Sequence, residues 1–134
     1  MTRLASAGAL AALALVVAGC ATTVDPSIDA EPEVVATQAP VSPDTPLDDL
    51  IGELADEMRH LDEQVIDGDG DDQTLARIEE LWLIAEPLAR ERDAELRFGL
   101  QKSVQLARTA VERRRPADAS KGYKIVADLA AALG

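Results

Sequence analysis

The sequence predicts an all-α protein: a small antiparallel bundle of four helices, or three, behind a disordered tether. Three observations carry that expectation. Leu47, Ile51, Leu54, Met58, Leu61 and Val65 recur at alternating spacings of four and three, the period of a helix face packed on other helices. Helix formers fill the stretch from Leu47 to Gly134, and Gly68, Gly70, Pro87 and Pro116 punctuate it. No run alternates apolar and polar residues with the period of two that a half-buried strand requires. With one Trp, one Tyr and one Phe in the chain, the core must be aliphatic.

The chain opens with Met1-Thr2-Arg3 and an apolar run from Leu4 to Ala18. About 15 helical residues reach roughly 22 Å, short of a hydrocarbon core of about 30 Å, so the run fits a secretory signal better than a permanent span. It ends in Val17-Ala18-Gly19-Cys20, which holds the only cysteine. An apolar residue, two small residues and Cys resemble the lipobox of bacterial lipoproteins. The resemblance covers residues 1–20 alone and implies a diacylglycerol on Cys20, removal of residues 1–19 as signal peptide, and a mature chain held by two or three acyl chains. It also implies a cell-membrane or outer-membrane location with the domain facing the periplasm or exterior; Ala21 lacks the Asp that in this family favours inner-membrane retention. A multiply acylated Cys suffices for stable anchoring, because each buried CH₂ contributes about 0.8 kcal/mol. With no second cysteine the chain forms no intramolecular disulfide, and its domain must hold together by packing.

Residues 20–45 read as the lipidated Cys and a Pro-rich acidic linker. From Ala21 to Pro46 there are five prolines and five acidic residues, with no basic or aromatic residue. Such composition buries too little apolar surface to offset its ordering entropy. Fully extended, the spacer reaches on the order of 80 Å at about 3.1 Å per residue. Its negative charge disfavours contact with anionic lipid.

The bundle domain is expected over residues 46–134. Helix one should take Thr45 as N-cap and Pro46 as its first residue, with Asp48 and Asp49 complementing the helix dipole, and should end before Gly68. Helix two should start near Asp72, run through the nearly all-apolar Leu81–Ala85, and kink or end at Pro87; if it runs through into helix three, the bundle has three helices. Helix three should begin near Asp93 with Leu96, Gly99, Leu100, Ser103, Ala107, Ala110 and Val111 as its stripe and Phe98 and Leu106 to the sides. Arg113-Arg114-Arg115 suits its negative end. Helix four should begin at Pro116 and pack Ala119, Tyr123, Val126, Ala127, Ala130 and Leu133.

Charge is divided unevenly. Residues 47–95 hold 17 acidic and 4 basic residues, a net of −13, whereas residues 96–134 hold 3 acidic and 8 basic, a net of +5. Acidic and basic helices lying side by side account for this better than a basic face turned to anionic lipid or polymer. A net charge of −12 argues against nucleic acid.

Candidate chemistry is sparse. Asp67-Gly68-Asp69-Gly70-Asp71-Asp72 offers clustered oxygens, but neither register matches a calcium loop: starting at Asp67, Asp72 stands where Gly belongs and Ile78 where Glu belongs. Glu57 to His60 is a Glu-x-x-His, yet a ferritin-like di-metal site needs a second copy and the chain has one His. Glu53, Glu57 and His60 lie on a flank of helix one and are at most weak zinc or copper candidates. Met58 on helix one resembles the iron ligand of small periplasmic haem-binding four-helix cytochromes, but helix four has no His. Ser103 has no evident base, and Ser120 only Lys121 beside it. No cofactor and no catalytic residue is expected. The expectation is a non-enzymatic binding module in the cell envelope, attached to the membrane through Cys20, with a protein or envelope component as partner. The alternative is a metal-ion or small-ligand carrier built on the acidic helix-one flank.

Overall fold

The computed structural model describes residues 38–134, which form one compact unit from Gln38 to Gly134. Cys20, the signal-like segment and most of the linker lie outside the described residues. Within them the chain folds into α1 (Leu47–Asp67), α2 (Asp71–Arg92), α3 (Ala94–Arg113) and α4 (Pro116–Leu133). Each helix packs on its sequence neighbour and α4 closes the ring onto α1. The pairing is antiparallel: Glu79 and Glu86 of α2 meet Arg108 and Arg97 of α3 in reversed order. Connections of one to three residues permit nothing else.

The seam of α1 is buried throughout, and Leu50 joins it. Opposite it α3 presents Ser103, Ala107 and Ala110, all at 0% exposure. These small side chains let α1 and α3 touch across the diagonal, while α2 and α4 sit apart at the far corners. Gly122 of α4 closes the remaining gap. A Cβ built there would stand 3.1 Å from the Ser103 carbonyl and 3.2 Å from Met58 Sδ. Val104, which the expected α3 stripe omits, is buried as well, whereas Phe98 is exposed.

Helix boundaries follow local chemistry, with three departures from expectation. Thr45 does not cap α1. Its N–H donates to the Ser42 carbonyl at 3.1 Å, in a turn with Pro43 at the position proline favours, so the helix begins one residue later with Pro46 as N-cap. At α2 the N-cap is Gly70 at φ +77°, with no side-chain bond, and Asp71 and Asp72 occupy the first turn, where the dipole favours them.

Pro87 does not end α2, which continues to Arg92. A proline deprives the carbonyl four residues earlier of its partner. Here that carbonyl belongs to Leu83, which is 74% exposed on the outer face of α2, where water can take the place of the missing N–H. Nor does α2 run into α3. Asp93 is fully extended at φ −163°, and its side chain accepts from the N–H groups of Glu95 and Leu96, so a single residue reverses the chain and caps α3.

The C-terminus of α3 is a Schellman turn: Arg115 N–H donates to the Ala110 carbonyl and Arg114 N–H to that of Val111. Its left-handed residue is Arg114, at φ +50°, where glycine is usual. Pro116 then opens α4 as the sequence predicts.

Candidate functional site

The acidic flank of α1 carries Glu53, Glu57 and His60. Glu53 and His60 are exposed and Glu57 is half-buried. The two glutamates do not turn toward His60 as a ligand set. Glu53 Oε2 accepts from Arg77 Nη2 at 3.5 Å, and Glu57 Oε1 accepts from Gln38 Nε2 at 3.2 Å. Both partners belong to an arrangement that the sequence did not reveal.

Residues 38–45, read from sequence as linker, lie against α1 and α2. Arg77 Nη1 donates to the Ala39 carbonyl at 2.9 Å. Two residues on, Val41 N–H donates to Glu80 Oε1 at 2.8 Å. Arg77 Nη1 also reaches Glu80 Oε2 at 2.9 Å, so the two reading groups fix one another one helical turn apart. The Val41 side chain is half-buried against the core, while Gln38, Ala39, Pro40 and the Ser42–Asp44 turn remain exposed. The Val41 N–H, first, and the Arg77 guanidinium beside it hold the Glu80 carboxyl below the usual carboxylate range. Arg77 is the pivot, with its side chain only 13% exposed and bound to a backbone carbonyl and two carboxylates.

The other sequence candidates have structural employment or stand alone. Asp71, from the acidic turn, is buried and paired with Arg114. Gly68 and Gly70, both at positive φ, shape that turn. Among the described residues no group of three or more His, Cys, Asp or Glu side chains is placed to hold a metal ion. Ser103 Oγ donates to the Gly99 carbonyl at 3.1 Å, and Ser120 Oγ donates to Asp62 Oδ2 at 3.1 Å rather than meeting Lys121. Met58 is fully buried in the core, on which Trp82 and Tyr123 are half-buried.

Leu83 and Ile84 do not make one apolar patch: Leu83 is exposed, but Ile84 turns inward to the core. Two open clefts, of about 550 and 410 Å³, flank Arg92 where α2 meets α3. Arg92 itself donates to Asp48 Oδ1 at 2.6 Å. Among the described residues no helix is long and apolar enough to cross a membrane.

The charge asymmetry resolves partly into contacts between helices and partly into pairs local to α4. Arg97–Glu86 and Arg108–Glu79, both at 2.6 Å, join basic α3 to acidic α2. Arg115 and Lys121 flank the buried Asp118, and Lys124 meets Asp128. Six of the eight basic residues beyond Leu96 are thus paired within the domain, which leaves little of a basic face.

The residues missed from sequence are Val41, Arg77 and Glu80. A signal existed: Val41 is the only aliphatic residue larger than Ala between Gln38 and Leu47, and it sits between two prolines. No family model, curated protein or solved structure matches the chain.

Proposed function

We propose that this chain is a membrane-anchored envelope lipoprotein whose small helical bundle is a non-enzymatic binding module. The observation that carries the anchoring is Val17-Ala18-Gly19-Cys20 behind a signal-length apolar run. Support for a binding module is geometric. Ser103 donates its hydroxyl proton to the Gly99 carbonyl and Ser120 to the Asp62 carboxylate, and the α1–α2 surface holds residues 39–41 through their main-chain groups. The carrier alternative has no comparable support, because Glu53 and Glu57 engage Arg77 and Gln38.

The test is metabolic labelling of the full chain with an alkyne palmitate analogue in a bacterial host, followed by membrane fractionation. The wild-type chain should carry label and sediment with membranes, and Cys20→Ser should carry none and become soluble. Label-free wild-type chain in the soluble fraction overturns the anchored reading. Photo-cross-linking from position 83 in the same cells should trap a discrete envelope partner.

A further inference from the structure

The contacts that hold residues 39–41 are contacts to a peptide backbone. Arg77 binds the carbonyl of Ala39, Glu80 binds the N–H of Val41, and Pro40 between them has no N–H to satisfy. Val41 adds one aliphatic side chain against the core. Nothing in this set depends on the segment being joined to α1. The reading pair is also preorganised. Arg77 also pairs with Glu80 and Glu53, contacts that do not involve the segment, so the site without it would leave no buried charge alone. The seated segment's neighbours on both sides are exposed, and Gln38 adds a surface hydrogen bond to Glu57. Segments with few buried contacts open locally at far less than the global unfolding free energy.

We propose that the surface of α2 at Arg77 and Glu80, beside α1, is a peptide-binding site, filled in the resting chain by its own Ala39-Pro40-Val41. Its ligand in trans is an extended segment of a partner protein with the same chemistry: a small residue, a proline and an aliphatic residue in polyproline-like conformation. This deepens the binding-module reading by naming the surface and the class of partner. Proline-containing segments suit such a site because they are extended before binding and lose little entropy on docking. The resident segment acts as an intramolecular competitor at an effective concentration on the order of millimolar, so the closed chain binds weakly and release exposes the site.

The experiment uses the full chain with Val41→Asp, which places a carboxylate beside Glu80 and expels the segment, and an isotope-labelled NMR titration with the free peptide Thr-Gln-Ala-Pro-Val-Ser-Pro. The substitution should shift the Arg77 and Glu80 signals and leave those of α3 and α4 in place. Added peptide should return them toward their wild-type positions, with an affinity at least about tenfold tighter than for the wild-type chain. A peptide carrying Asp for Val should have no effect. Absence of any shift at Arg77 and Glu80 up to millimolar peptide, or equal binding to the wild-type and variant chains, overturns the proposal. Val41→Ser, which removes the aliphatic anchor without adding charge, is judged by the same results if the Asp variant fails to fold. Failure here leaves acyl labelling and cross-linking untouched, so the loss of this site and the loss of the anchored-module reading are separable.

Discussion

Arg114, the left-handed residue that ends α3, pairs through Nη1 with Oδ2 of Asp71, the buried first residue of α2. The pair joins the α3–α4 turn to the α1–α2 turn. It also explains why an arginine occupies a position where glycine is usual: the site costs about 1–2 kcal/mol in backbone strain, and the guanidinium satisfies a carboxylate with a side chain only 4% exposed.

Two substitutions separate these contributions. Arg114→Ala removes the pair and keeps the strain, and should destabilise the domain by about 1–3 kcal/mol in urea unfolding. Arg114→Gly removes both, and should be more stable than the Ala variant by about 1 kcal/mol. Equal stability of the two variants would show that the left-handed backbone carries no strain.

Gly122 and Gly52 should respond to alanine with opposite signs. A Cβ at Gly52 meets nothing within 4 Å, so Gly52→Ala should stabilise by about 0.5–1 kcal/mol through helix propensity alone. A Cβ at Gly122 meets the Ser103 carbonyl and Met58 Sδ, and the carbonyl cannot yield without moving α4 from α3. Gly122→Ala should cost about 1–3 kcal/mol despite the same propensity gain. Thermal unfolding of both variants decides the point, and stabilisation by Gly122→Ala would mean that the helices approach less closely than described.

Pro87→Ala should stabilise the domain. It restores the N–H that the Leu83 carbonyl lacks, and the gain is about 1–2 kcal/mol after allowing for the greater freedom of the unfolded chain. Chemical denaturation measures this. A loss of stability would show that packing of the half-buried proline ring outweighs the missing hydrogen bond.

Acid should release the segment at Val41. The folded-state pKa of Glu80 is lowered, chiefly by the Val41 N–H and then by Arg77, so docking favours the charged carboxylate. The contribution is therefore full above the ordinary glutamate value, about 4.3, and is lost as pH falls through the lower folded value. The Val41 amide signal should follow that titration, and in Glu80→Gln it should stay flat. A Val41 midpoint at the ordinary glutamate value would contradict the contact.

The order of helices, their seams and the starts of α3 and α4 were legible in the sequence because each rests on local signals. A helix period, a capping aspartate and a proline at the first position act within a few residues of themselves. The α1 flank was legible as a face, since Glu53 and Glu57 share it, but its use was not. Arg77 and Glu80 meet Ala39 and Val41 through main-chain atoms 38 and 39 residues away, and no side-chain periodicity encodes such a contact.

By itself, then, the sequence determined the helical class, the aliphatic core and the chain reversals at Gly68–Gly70 and before Pro116, all consequences of burial pattern and turn chemistry. The tertiary structure alone decided that Pro87 stays within α2, that Asp71 lies buried against Arg114, and that the end of the linker belongs to the domain. Each of these depends on which groups face water and which face one another once the helices have packed, and that is a property of the assembled bundle.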